Sequence, residues 1–468
     1  MDAKREQDGD EEFPELTSED VEETIELDPA DGDAPMDEDD SGEENGGEHF
    51  QDTSIAAFYD HRDAVFALAL HPKYPQVPIA FSGGADDKGR LWDTRTGESL
   101  VELGGHEDSV VDGGFSASGE YVATGGLDGR VRIWRLHPPA ASVDERAFPP
   151  RPHDDAVRSG PDWGRCEFVT SLEGPDEVAW LRWHPKGNVI AAGASDSNVW
   201  MWNIPSGAVM SVFSGHTGPV TCGRWTHDGK KLVTASEDGS LLVWDPRNAV
   251  ALSKLQPGDS RFNLESGITS LCISPDDKLA VVGGSAGNIR IVNLSNIDEG
   301  GAALVVGALQ GHEHGESIEG LEFVDLLGNP NGNTPQSGPR GVAASPNNVI
   351  SVSTDGKAVI WDLAASKVRC EAVHDAAITT MALHGSGPLF STASADQTIK
   401  TWDARTAACL ATHNGFTNAV LGVVVGPDDG YTQGSQTGGV GAYADPSQSK
   451  GWKVVGAGDE GVALVFRV

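Results

Sequence analysis

Residues 215–245 read GHTGPVTCGRWTHDGKKLVTASEDGSLLVWD. A Gly215-His216 pair leads into a short alternating run from Val220 to Trp225. His227-Asp228-Gly229 and Asp238-Gly239 supply turns, and the runs Leu232 to Ala235 and Leu241 to Asp245 follow them. Alternation with period two buries one side of each run, and Asp-Gly favours the tight reversals that join antiparallel neighbours. The stretch is therefore a three-run antiparallel meander, and its pattern recurs along the chain.

The recurrence can be measured. His216 precedes Asp238 by 22 residues, and Asp238 precedes Trp244 by six. The six-residue interval returns at Asp86–Trp92, Asp128–Trp134, Asp196–Trp202, Asp355–Trp361 and Asp396–Trp402. The 22-residue interval returns at His106–Asp128 and His374–Asp396, and it stretches to 25 for His61–Asp86 and to 43 for His312–Asp355. A Gly-His start and a Trp-Asp end about forty residues later mark the blade of a WD40 β-propeller.

Two further units are degenerate. Ile268 to Leu294 keeps the strand pattern but has Leu264, Ala286 and Val292 in place of His, Asp and Trp; the last unit, about 413–468, has Glu460 and Phe466. The third unit has Gly174 where His is expected. The count gives an all-β fold of eight blades over residues 51–468, with seven as the alternative. Thr53 to Tyr59 reads as a strand with no blade before it, so it is expected to complete the last blade and close the ring. His, turn Asp, a hydroxyl such as Ser236 and the Trp indole are expected to form one buried hydrogen-bond network, making these residues scaffold.

Residues 1–50 hold 22 acids and two bases and read as a disordered acidic tail. The other residues hold 49 acids and 31 bases, so the folded part is acidic as well. Such a surface repels nucleic acid and attracts basic partners. No apolar run approaches twenty residues and no signal sequence is evident, so a soluble, cytoplasmic monomer is expected, with a nuclear pool as the alternative and no membrane role. Cys166, Cys222, Cys272, Cys370 and Cys409 form no CxxC pair and read as small buried hydrophobes. No metal set, cofactor motif or catalytic elbow is present, and the chain does not read as an enzyme.

Binding is better supported. The inner strands carry Val65, Val110, Val178, Val220, Ile268, Ile318, Ile378 and Val420. The residues after them, Phe66, Val111, Ala179, Thr221, Thr269, Glu319, Thr379 and Leu421, should rim the ring's narrow opening. Glu237 and Asp459 precede turn acids, and Asp63, Glu107, Asp108, Asp176, Glu177, Glu316 and Asp375 lie in loops leading to inner strands. An acidic rim around a small apolar centre suits a short segment carrying Arg or Lys plus an aromatic anchor. The Pro- and charge-rich loop at 137–165 reads as decoration, with docking as the alternative, and further insertions fall at about 326–345 and about 428–451. Three blades end in WDxR, at Arg95, Arg247 and Arg405. That box resembles the one in WD-repeat substrate receptors of cullin-four ubiquitin ligases, which is one alternative function; a generic interaction scaffold is another.

The run PMDEDDSGEE (35–44), the segment Phe58-Tyr59-Asp60-His61-Arg62-Asp63-Ala64-Val65 and AWLRWHP (179–185) resemble the angio-associated migratory cell protein family. Its fungal members include the Sqt-type ribosome-assembly chaperones. The resemblance implies a dedicated, non-enzymatic chaperone. Such a protein would capture the basic N-terminal segment of the large-subunit ribosomal protein L10, of the universal L16 family, during translation and hold it until late assembly.

Overall fold

The computed structural model describes residues 52–137, 166–327, 347–385, 387–432, 442–443 and 451–468. Eight four-stranded antiparallel sheets form the ring. Their inner strands, which number blades 1 to 8 in order, are Val65–Leu70, Val110–Phe115, Val178–Trp183, Cys222–Trp225, Ile268–Ile273, Ile318–Val324, Ile378–Leu383 and Val420–Pro427. Each inner strand packs against those of the blades on either side, and blade 8 packs against blade 1. Eight is the blade count. The 1–50 tail and the 137–165 loop beyond His137 lie outside the described residues, as do most of the two later loops. Within the last of these, Tyr431–Thr432 pairs with Ala442–Tyr443 as a small separate hairpin.

Closure follows the expected route. Blade 8 takes Val420–Pro427, Trp452–Gly458 and Ala463–Arg467 and receives its fourth strand from Ala56–Phe58. Ala56, Ala57 and Phe58 pair with Val465, Leu464 and Ala463. The core sits between blades: Phe58, Ala80, Trp92, Val455, Ala463 and Val465 form one apolar cluster across the blade 8–blade 1 seam. Each middle strand thus buries both faces, one against each neighbouring blade, which explains its nearly continuous burial.

The His-Asp-Trp network forms, with a different hydroxyl from the one expected. In blade 4 Thr234 lies at the centre: its Oγ1 is 2.8 Å from His216 Nε2 and accepts the Trp244 indole N–H at 2.8 Å. Ser236 instead donates to the Gly218 carbonyl. Nor does His216 touch Asp238 closely. Ser240 Oγ sits 2.7 Å from His216 Nδ1, and the Asp238 carboxylate is 3.8 Å away. Blades 6 and 7 show the direct form, with His312–Asp355 and His374–Asp396 at 2.8 Å and the indoles of Trp361 and Trp402 donating to Ser351 and Thr392. Blade 1 joins His61 to Asp86 and Ser82, and blade 2 joins His106 to Asp128 and Thr124. Blade 5 is apolar at all three positions, with Leu264 and Val292 fully enclosed.

Blade 3 solves its missing histidine with a tryptophan. Trp200 donates its indole N–H to Asp196 at 3.1 Å and stacks on Trp202 at 6.1 Å. The ring fills the space a histidine would take: a Cβ on Gly174, whose φ is 141°, would come within 2.5 Å of Trp200. Restoring the repeat's histidine with Gly174→His should therefore destabilise the fold, by about 1–3 kcal/mol for overpacking. Urea unfolding checks this, and a variant as stable as the parent would refute the role given to Trp200.

Candidate functional site

Antiparallel pairing places the loops leading into inner strands on the same face as the turns between second and third strands, and the His–Asp bonds tie these loops together. On this histidine face the loops of all eight blades hold 22 acids and four bases (Arg62, Lys88, Arg130 and Arg261), a net charge of −18. Residues 51–468 together hold 49 acids and 31 bases, also −18. All other described residues therefore sum to neutrality, 21 acids against 21 bases. The ring is not uniformly acidic; among the described residues its whole excess lies on one face.

The opening at the centre of that face is shaped by β-bulges. In seven of the inner strands the register slips between the first and third residues, at Val65/Ala67, Val110/Asp112, Val178/Trp180, Ile268/Ser270, Ile318/Gly320, Ile378/Thr380 and Val420/Gly422. A bulge leaves the extra residue unpaired and re-aims its side chain. Phe66, Val111, Ala179, Thr269, Glu319 and Leu421 consequently line a cavity of about 360 Å³ in the channel; Thr221 lines it from blade 4, which has no such slip, and blade 7 contributes Thr380 rather than Thr379. The sequence rule that chose these positions works for six of the eight because the bulge repeats.

The threonines of this set are already engaged. Thr221 donates to the Ile268 carbonyl at 2.5 Å, Thr269 to Ile318 at 2.8 Å and Thr379 to Val420 at 2.6 Å, each stitching its blade to the next. Glu319 occupies the corresponding place in blade 6, where a carboxylate has no proton to donate to Ile378.

Of the ten acids expected at the rim, nine are exposed; Glu316 is half-buried and accepts the Thr354 hydroxyl at 2.7 Å. Glu107 pairs with Arg130 at 3.0 Å, and Asp375 lies 3.7 Å from Lys400. Asp63 and Asp108 accept the N–H of the following residue, and Asp459 accepts the Asn418 amide. Among the described residues the carboxylates of Glu237, Glu319, Asp176 and Glu177 have no side-chain partner. Those four retain the most capacity for a ligand.

A second layer was missed at the sequence level. Arg182 clasps Asp112 at 2.6 Å, joining blades 3 and 2, and Arg224 reaches past blade 5 to Glu322 of blade 6 at 3.1 Å. This charged belt crosses the channel beneath the bulges. Its signal was present as Arg182, Arg224 and Glu322, charges at one shared position of otherwise apolar or small inner strands.

The WDxR arginines lie on the opposite face, each folded onto the Asp two residues earlier. Arg95 reaches Asp93 at 2.9 Å, Arg247 reaches Asp245 at 3.0 Å and Arg405 reaches Asp403 at 2.9 Å. The five cysteines are all free, and Cys409 is exposed on an outer strand, contrary to the expected burial.

A family profile described as "WD domain, G-beta repeat" matches residues 52–93, 97–135 and 367–403, and one described as "IFT140 first beta-propeller" matches 166–293. Angio-associated migratory cell protein of Homo sapiens is 28% identical over 386 residues, covering 81% of this chain and 76% of its own. An uncharacterised WD repeat-containing protein of Schizosaccharomyces pombe is 30% identical over 384 residues, covering 81% and 82%. The crystal structure of Chaetomium thermophilum Sqt1 bound to the N-terminus of ribosomal protein L10 is 26% identical with a TM-score of 0.67, covering 89% of this chain and 100% of that one. The repeat spacing, the eight closed blades and these likenesses agree: the chain belongs to the WD40-repeat family that includes angio-associated migratory cell protein and Sqt1.

Proposed function

We propose that this protein is a non-enzymatic chaperone that captures a basic segment of a ribosomal protein on its histidine face. The client is the N-terminal segment of the large-subunit protein L10, taken up in the cytoplasm during synthesis and held until late subunit assembly. The observation that carries the reading is the concentration of the ring's entire −18 charge on the face where the channel opens. A lysine- and arginine-rich chain is drawn to such a face at enhanced rates and kept from nucleic acid while it waits. The C. thermophilum relative, crystallised with the N-terminus of L10, supports the choice of client. No observation favours the ubiquitin-ligase reading, because its arginines already have local carboxylate partners.

The test is binding of a synthetic L10 N-terminal peptide to the full chain at rising salt. Affinity should fall steeply as salt rises. Glu319→Lys and Glu237→Lys should each weaken binding by about tenfold or more, the scale of one lost charge-assisted contact plus a repulsion. Arg247→Ala, on the other face, should leave it unchanged. Binding that ignores salt, or reversal on either face having equal effect, would refute the proposal.

A further inference from the structure

Apolar and polar residues are not intermixed around the channel mouth. Leu421, Phe66, Val111 and Ala179 come from blades 8, 1, 2 and 3 and form one continuous apolar arc. Thr221, Thr269, Glu319 and Thr379 come from blades 4 to 7 and form the polar arc. Within the polar arc three threonines spend their hydroxyl protons on the next blade, so Glu319 alone offers a free charged group. Its two carboxylate oxygens are the acceptors this arc turns to the cavity, and Glu319 is exposed. Beneath, Arg182 and Arg224 are held by Asp112 and Glu322, so the belt offers no spare cation to neutralise Glu319.

A side chain fitting this mouth needs a long apolar stem for one arc and a cationic head with several donors for the other. Building on the function proposed above, we infer that the mouth is a socket for one arginine of the bound segment. Its methylenes and guanidinium plane lie along the apolar arc, where Phe66 is 42% exposed, and its fork donates to both carboxylate oxygens of Glu319. A lysine head is a strongly hydrated point charge that cannot span both acceptors in one plane. The acidic face thus draws in any basic chain, whereas the socket reads one residue of it and fixes the register.

Fluorescence anisotropy with the full chain tests this, using L10 N-terminal peptides in which each arginine in turn is replaced by lysine or by citrulline. One position should lose about tenfold on Arg→Lys with charge conserved, and the remaining positions less than about twofold, as expected of a bidentate site among screened surface pairs. In Glu319→Gln protein that tenfold discrimination should shrink to about twofold, and Phe66→Ala should reduce it in part. Glu319→Thr supplies the missing stitch to Ile378, so it should melt higher than the parent while losing the discrimination, which separates a binding defect from a folding one. If every arginine tolerates lysine equally while binding stays salt-sensitive, the socket is refuted and the acidic-face reading stands. If the unaltered peptide does not bind, the functional reading fails.

Discussion

Phe58→Ala should cost about 3–5 kcal/mol, the range for truncating an aromatic in a core that cannot collapse around the gap. Phe58 is 1% exposed, lies flat on Trp92 at 5.0 Å with 4° between planes, and meets the His61 ring edge-on at 5.8 Å. The strand it belongs to pairs over only three residues, so its backbone hydrogen bonds alone hold it weakly. The side chain is the main anchor at the one seam that peptide bonds do not close within a blade. Trp92 bears out this priority: its indole N–H is buried without a partner, whereas the equivalent tryptophans of blades 4, 6 and 7 donate to a hydroxyl. Trp92 is held by flat packing on Phe58 and has no such hydrogen bond. Urea unfolding gives the loss, and Phe58→Leu should lose under about 1.5 kcal/mol because it nearly conserves volume. Hydrogen exchange in Phe58→Ala should rise first in Ala463–Arg467 and in blade 1. A loss below about 1 kcal/mol, or exchange rising evenly around the ring, would show that closure does not depend on this contact.

What the sequence disclosed followed the range of each interaction. His216, Asp238 and Trp244 were legible because turn chemistry and strand period are local, and the repeat multiplies that signal. The decayed fifth blade was legible for the same reason, since Leu264, Ala286 and Val292 replace a whole network together. Choosing Ser236 over Thr234 was an error that local pattern could not correct. Both hydroxyls lie in or beside one short strand, and only the facing position of the Trp244 indole distinguishes them. Trp200 satisfying Asp196 was invisible, because the replacement comes from a different strand than the residue it replaces. The charged belt escaped because Arg224 and Glu322 are 98 residues apart and meet only across the channel. Cys409 was misplaced because outer strands expose residues that the same pattern buries in middle strands. The concentration of charge on one face, in contrast, needs only the strand bounds and the residue types, so it becomes readable once the blades are counted.

Between pH 6.5 and pH 4 the fold should lose stability on the order of 5 kcal/mol at the blade 7–blade 8 seam alone, from two buried histidines. In seven blades the strand pair facing the next blade is apolar, as in Val233/Val243, Ile350/Ile360 and Val455/Val465. In blade 7 it is Ser391/Thr401. A buried chain runs His384 Nε2 to Ser391 Oγ at 2.8 Å, to Thr401 Oγ1 at 2.8 Å, to His413 Nε2 at 3.2 Å. His384 Nδ1 has no partner. Leaving an acceptor unmet costs less than burying an unpaired N–H, so His384 carries its proton on Nε2 and donates into the chain, and His413 accepts at the far end. Trp452 and Phe466 cover the two rings. Burial pushes both down from 6.5 to about 4, the His413 ring further opposes charge on His384, and no carboxylate compensates. Their folded values lie below the unfolded one, so the unfolded chain binds protons first. The stabilisation is complete above pH 6.5 and lost as pH falls toward 4, at about 1.4 kcal/mol per pH unit for each proton. His61, His106 and His216, also lowered mainly by burial, act with the same sign. Urea unfolding from pH 7 to 4.5 should show the decline, and His384→Gln/His413→Gln should flatten the slope by about two protons. Nitrogen NMR should find His384 as the neutral Nε2–H tautomer at pH 5.5. Rings titrating near 6.5, or an unchanged slope in the double variant, would remove the chain as the cause.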